Sequence, residues 1–280
     1  MNYQHLTCHI EEKICTITLN RPEVLNAVNR KLCSEIAEAL HAADRNPDVN
    51  VVVMNGAGRA FCSGHDLKGD AEEPREIYGY YEHYKAEFEE FTAIWKINTP
   101  VIVSAHGYCI GKGFEFAMMA DVSILSEEVT LGLGEMRYGI PAITLTLPWK
   151  TGMNSAKEMV LTGLDVSARE AKERGLITMV CKRDELEALT QKVARRMALM
   201  PRDMQRMHKS YMNRVYETMG FWKANKDYLE ILAILGTQVV PEYARFSETT
   251  IKRGLKAALQ EANAPFDELE RSFASDQDPA

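Results

Sequence analysis

The stretch Thr99-Pro100-Val101-Ile102-Val103-Ser104-Ala105, then Gly107-Tyr108-Cys109-Ile110-Gly111-Lys112-Gly113, then the run Phe114 to Ala120, decides the fold class of this chain. Its first part has the composition of a buried strand and its last part suits a buried helix. The glycines between them let backbone approach a ligand closely. A second strand-like run, Val122-Ser123-Ile124-Leu125, follows at once, and Asp121 can cap or close the intervening turn.

The same rhythm extends outward. Ile14-Cys15-Thr16-Ile17-Thr18-Leu19 reads as a strand that Asn20-Arg21-Pro22 stops, because proline removes a donor and restricts the residue before it. An amphipathic helix spans Arg30 to Ala43, and Val49 to Met54 is again strand-like. Alternation of this kind predicts an α/β architecture. Residues 69 to 95 read as a charged segment followed by a long amphipathic helix. From about Ser155 the chain is mostly helical, with Ser167-Ala168-Arg169-Glu170 as a capping box and Gly175 as a helix stop. We expect a core over residues 1–200 and a helical region over 201–280 that serves packing or oligomerisation.

The 280 residues are 46% hydrophobic, enough for a sizeable core, and their net charge of −7 argues against a general nucleic-acid binder. Any anionic ligand must then be met by local basic groups. The six cysteines are scattered without a C-x-x-C pair, so they suggest neither a zinc site nor a disulfide framework, but buried thiols in a reducing compartment. No secretory signal and no apolar run of roughly 18 residues stands out. The expectation is a soluble, cytoplasmic protein with no membrane association.

Glu115 and Glu135 carry the chemistry. Each lies in a glycine-bearing segment, Gly111-Lys112-Gly113-Phe114-Glu115 and Gly132-Leu133-Gly134-Glu135, and two such carboxylates suit acid/base work on one carbon framework. Taken singly, Glu115 also reads as a residue complementing a helix dipole and Glu135 as a surface carboxylate. The loop Gly58 to Leu67 follows a strand, as Gly107 to Gly113 does, so two strand-end loops offer backbone N–H groups as an oxyanion-hole candidate. Each of these loops reads alternatively as a packing turn.

These pieces resemble the crotonase, or enoyl-CoA hydratase/isomerase, superfamily. The resemblance rests on Asn20-Arg21-Pro22 with Asn26-Ala27, on Phe61-Cys62-Ser63-Gly64-His65-Asp66-Leu67, on Gly107 to Glu115, and on Gly134-Glu135 followed by Gly139-Ile140-Pro141. The motifs occur in family order up to about position 180, and Phe246-Ser247, Arg253-Gly254-Leu255 and Ala264-Pro265-Phe266 extend the likeness into the tail. It implies a crotonase-like spiral of ββα repeats forming two stacked sheets, with a C-terminal helical trimerisation region and a homotrimer or dimer of trimers.

The implied substrate is an acyl thioester of coenzyme A, which is part of the substrate; no other cofactor and no metal is implied. The peptide N–H groups of His65 and Lys112 are expected to hold the thioester oxygen, with a lysine standing where the family often has glycine. Glu115 and Glu135 are the expected catalytic pair, one giving and one taking a proton. Substrate contacts are expected from Ala27, Ala60, Ser63, Gly64, Asp66, Leu67, Lys68, Gly111 and Pro141. Asp66 reads also as a loop brace and Lys68 as a solvated lysine, while Arg137 and Tyr138 either line the acyl pocket or face solvent.

The chain departs from the commonest hydratase pattern at Ala142-Ile143-Thr144-Leu145-Thr146-Leu147-Pro148, where a glycine-rich stretch usually follows. Retention of both glutamates favours hydration. The alternatives are isomerisation, dehydration or hydrolysis of a specialised acyl-CoA, and a silent or RNA-associated homologue.

Overall fold

A computed structural model describes residues 3–67, 76–142, 146–237 and 240–276, the last four without side chains. β1 (Leu6–Glu11) and β2 (Ile14–Leu19) form an antiparallel hairpin turned by Glu12 and Lys13, both at positive φ. α1 (Arg30–Arg45) follows, its first turn capped by the Asn29 side chain, which accepts from the Leu32 N–H at 2.8 Å. Its buried residues Leu32, Ile36, Leu40 and Ala43 recur at helical spacing, which seats one face on the sheet.

β3 (Val51–Gly56), α2 (Ile77–Phe91), α3 (Ala93–Lys96), β4 (Val101–Ala105), β5 (Tyr108–Ile110) and α4 (Lys112–Met119) come next. They are followed by β6 (Val122–Ser126), β7 (Thr130–Gly132), α5 (Leu147–Lys150), α6 (Met153–Thr162), β8 (Val166–Ser167), α7 (Ala168–Glu173), β9 (Met179–Cys181) and α8 (Leu186–Ala198). One sheet runs β1-β2-β3-β4-β6-β9, parallel from β2 onward, and a second runs β5-β7-β8. Successive β4-β5-α4 and β6-β7 units therefore step from the first sheet to the second and back, as the expected spiral requires.

Both faces of the larger sheet are covered. Val52 and Met54 of β3 enter the main core with Leu32, Ile36 and Phe116, while Val51 and Val53 face Leu186 and Ala194 of α8. That alternation is the two-residue period of a strand, and parallel sheets are stable when helices shield both sides. On the outer face of α8, Lys192, Arg195 and Arg196 are exposed.

The tail is α9 (Arg202–Thr218), α10 (Phe221–Gly236), α11 (Pro241–Arg253) and α12 (Leu255–Asp276), as the periodicity indicates. It docks back onto the core. Leu229 and Leu232 of α10 bury against Phe88 of α2, and Phe246 of α11 stacks on Tyr138 with ring centroids 4.8 Å apart. Trp149 and Trp222 both pack edge-on against Phe221. No helix among the described residues is long and apolar enough to cross a membrane.

Three details differ from the sequence expectations. The strand expected from Val49 begins at Val51, because Val49 N–H closes a turn onto the Asn46 carbonyl. The glycine-rich segment after β4 contains the strand β5, and the mostly helical stretch after Ser155 contains β8 and β9. Strands of two or three residues are too short to display a period. The capping box at Ser167 and Glu170 is present, and Gly175 ends the following turn at φ +76°.

Candidate active site

The two loops that offered N–H groups pack against each other. Cys62 and Cys109 form an isolated bridge, the Cys62 N–H donates to the Tyr108 carbonyl, and the Ile110 N–H donates to the Cys62 carbonyl. A side chain at position 113 would place its Cβ 2.6 Å from the Cys62 oxygen, so only glycine lets the start of α4 reach this loop. His65 is thereby brought beside Lys112, the first residue of α4, where helix N–H groups project outward and the dipole favours negative charge.

The first loop is braced from below. Arg21 pairs with buried Asp66 at 2.8 Å and donates to the Ala27 carbonyl, and Asn26 donates to the Ala57 and Ala60 carbonyls. Ala27 and Ala60 are buried, the Ser63 hydroxyl donates to the Val24 carbonyl, and the Gly64 carbonyl accepts from the Val28 N–H. Asp66 is thus a loop brace. Leu67 packs with the Tyr138 and Phe246 cluster, and Pro141 is half-buried. Lys68 and residues 69–75 lie outside the described residues, as do positions 143–145.

Glu115 sits in the first turn of α4, 2% exposed, with its N–H bonded to the Gly111 carbonyl. Its Oε2 accepts from the hydroxyl of fully buried Thr146 at 2.8 Å. Thr146 lies in the segment that departs from the usual glycine-rich pattern. The departure therefore supplies a hydroxyl that fixes the rotation of a candidate catalytic carboxylate.

Glu135 arrives from the short 3₁₀ turn Gly134–Tyr138 that follows β7. The residue is half-buried, and its carboxyl is the enclosed end. Burial pushes that carboxyl up to about 7; its own N–H and the charge of Lys112 pull it down, while Asp165 adds to the rise. The carboxyl rests on the Cα of Gly111, where a Cβ would lie 3.0 Å from Oε2. Arg137 holds the turn in place by pairing with Asp165 at 2.8 Å and stacking on Phe266. Arg137 is thus a brace of the Glu135 turn, and Tyr138 is buried against Phe246.

The charges of Glu115 and Glu135 both bear on one phenol. Tyr228, half-buried on α10, is pushed up to about 12 by burial first and then by both carboxylates. Sequence reasoning placed Tyr228 only in the helical tail, and it singled out neither Thr146 by itself nor Glu87. Glu87 is buried on α2 and forms an ion pair with Lys112; burial alone would raise its carboxyl, but Lys112 above all holds it low. No local pattern marks such residues, because their significance lies in contacts across 25 or more positions.

Gly111 gives a local test. It combines φ +52° with the close Glu135 contact, so Gly111→Ala is strained and displaces the carboxylate. We expect about 1–3 kcal/mol of destabilisation in denaturant titration and a fall in kcat of about tenfold or more. Unchanged stability and turnover would remove this contact from the account.

The family model described as enoyl-CoA hydratase/isomerase matches residues 9–229. A probable mitochondrial enoyl-CoA hydratase of Dictyostelium discoideum is 34% identical over 219 residues, covering 76% of this chain and 78% of that one. A probable enoyl-CoA hydratase of Mycobacterium tuberculosis is 30% identical over 225 residues, covering 78% and 84%. The crystal structure of an enoyl-CoA hydratase/isomerase from Xanthobacter autotrophicus Py2 superposes with a TM-score of 0.90 at 31% identity, covering 94% of this chain and 99% of that one. The likeness extends from the first hairpin, through both sheets and the paired loops, into the C-terminal helices, and this chain belongs to the enoyl-CoA hydratase/isomerase family, the crotonases.

Proposed function

We propose that the protein hydrates a trans-2-enoyl-CoA to a 3-hydroxyacyl-CoA. The observation that carries this reading is the pair of carboxylates in unlike settings: burial pushes the Glu135 carboxyl up to about 7, and Glu115 accepts a hydroxyl bond in the first turn of a helix. Two carboxyls in different surroundings are suited to divide acid and base roles between them.

In the proposed step the thioester oxygen lies against the backbone N–H groups of His65 and Lys112. Glu115 takes a proton from water as its oxygen bonds to C3 of the acyl group. The electron pair of the double bond moves toward the thioester, where the two N–H groups stabilise enolate charge. Glu135 then gives its proton to C2, and solvent exchange returns both carboxyls to their starting forms. Ala27, Ala60, Ser63, Gly64, Asp66, Leu67, Lys68, Gly111 and Pro141 are the proposed surroundings of the coenzyme A and acyl portions. The reaction as proposed draws on no metal or further cofactor.

A panel of enoyl-CoAs of different chain length and branching tests the reading through loss of the conjugated thioester absorbance. We expect at least one to be consumed, with no loss of rate in chelator. A rate that chelator abolishes and added metal restores would count against the two-carboxylate scheme.

We also propose a homotrimer or dimer of trimers. Met204, Met207, Tyr211 and Val215 are exposed at helical spacing along α9, which supports a face covered by another subunit. A solution mass equal to the monomer would contradict this. The cytoplasm is the proposed compartment, and six free thiols support a reducing one.

A further inference from the structure

The residues whose N–H groups are proposed to hold the thioester oxygen are also joined through their side chains. Lys112 Nζ lies 2.9 Å from His65 Nδ1 and is ion-paired with Glu87, whose Oε1 is 4.0 Å from His65 Nδ1. Lysine ammonium only donates, so His65 Nδ1 is the acceptor and the ring proton of neutral His65 resides on Nε2. Lys112 is 7% exposed and Glu87 4%.

A buried ion pair is a poor source of stability, because desolvation offsets most of the attraction. Its firmest use is to fix one arrangement over others. Here it connects three elements: the loop carrying His65, the start of α4, and α2. The same face of α2 is in turn tied to α1 one turn further on, by Arg30 and Glu90 at 3.2 Å. Glycine at position 112 would supply the same N–H with no such connection, and lysine at that position needs a buried acid, which Glu87 provides.

We propose that Glu87, Lys112 and His65 form a positioning cluster that sets the spacing of the two oxyanion-binding N–H groups and couples it to helix α2. This rests on the acyl-thioester reading above. Glu87 acts as a positioning residue, touching Lys112 rather than substrate. A shift of about 1 Å in one donor is enough to reduce turnover by up to about 100-fold.

Acetoacetyl-CoA provides a direct readout, because its enolate has its own ultraviolet band and a site that stabilises enolate oxygen enriches that form on binding. The variants are Glu87→Gln and the pair Glu87→Gln with Lys112→Met; the pair leaves no buried charge stranded and so protects the fold. We expect the bound enolate band in the wild type and its loss by about fivefold or more in both variants. With a trans-2-butenoyl-CoA substrate, kcat should fall about 10- to 100-fold while KM stays within about threefold. A wild-type enolate band kept in both variants, with kcat within about twofold, overturns the cluster's role and leaves the hydratase reading standing. Absence of the band in the wild type overturns the oxyanion reading itself, and the positioning role with it.

Discussion

Glu135→Gln is expected to lower kcat about 10²–10⁴-fold, with acyl-CoA affinity little changed, since the amide cannot release a proton to C2. Glu115→Gln is expected to do the same by removing the proposed base. Glu135→Gln should also change stability. The Glu135 carboxyl rises from its ordinary 4.5 to about 7 in the folded protein, so the folded state holds this proton more firmly than the unfolded chain does. A raised value contributes stability that is complete below about pH 4.5 and is lost as pH climbs through 7. Glutamine removes that dependence. Glu135→Gln should therefore match the wild type near pH 4.5 and exceed it above pH 7, by up to about 3 kcal/mol. If Glu135 is the acid, as proposed, turnover in the hydration direction should likewise fall as pH rises through about 7. Near-normal rates in both variants, or a wild-type rate that climbs across this window, would sink the assignment of acid and base.

The second large effect concerns the attachment of the tail. Asp121, in the turn between α4 and β6, accepts from the Val101 N–H at 2.7 Å and from Lys209 Nζ at 2.7 Å. Lys209 is 4% exposed on α9 and reaches the Thr99 carbonyl as well. Asp121→Ala leaves a buried ammonium without its carboxylate and a strand N–H without its acceptor. Because Asp121 lies on the solvent side of the pair, the expected cost is about 1–3 kcal/mol, read as a lower denaturation midpoint at fixed protein concentration. Adding Lys209→Met to Asp121→Ala should recover part of the loss, because no uncompensated charge then remains inside. Equal stability of Asp121→Ala and wild type would mean that α9 is held by its other contacts.

Sequence alone disclosed the parts of this molecule that demand one residue type at one place. Gly111 and Gly113 mark backbone that passes within contact distance of a carboxylate and of a neighbouring loop, and Glu115 and Glu135 lie in glycine-bearing segments. The long amphipathic segments likewise showed their period, and α1, α2 and the tail helices follow it. The short strands β5, β8 and β9 did not, since two or three residues carry no period.

The support of the site was also hidden. Glu87 stands among Glu82, Glu89 and Glu90 in a charged helix whose composition resembles a solvated face. Thr146 lies in a segment notable only for lacking glycine, and Tyr228 lies 93 positions after Glu135 by sequence numbering. Each acquires its meaning from a partner brought near by the turn of the spiral. Asp66 was legible by contrast: it reads as a loop brace from its motif, and its pairing with Arg21 agrees.

The central claim is that water is the partner activated between Glu115 and Glu135. Incubating the protein with a trans-2-enoyl-CoA in water labelled with oxygen-18 and deuterium, then reading the product by mass spectrometry, tests it most directly. The account predicts a 3-hydroxyacyl-CoA carrying the labelled oxygen at C3 and one deuterium at C2. A product of the substrate's own composition with its double bond moved, and no labelled oxygen, would contradict it.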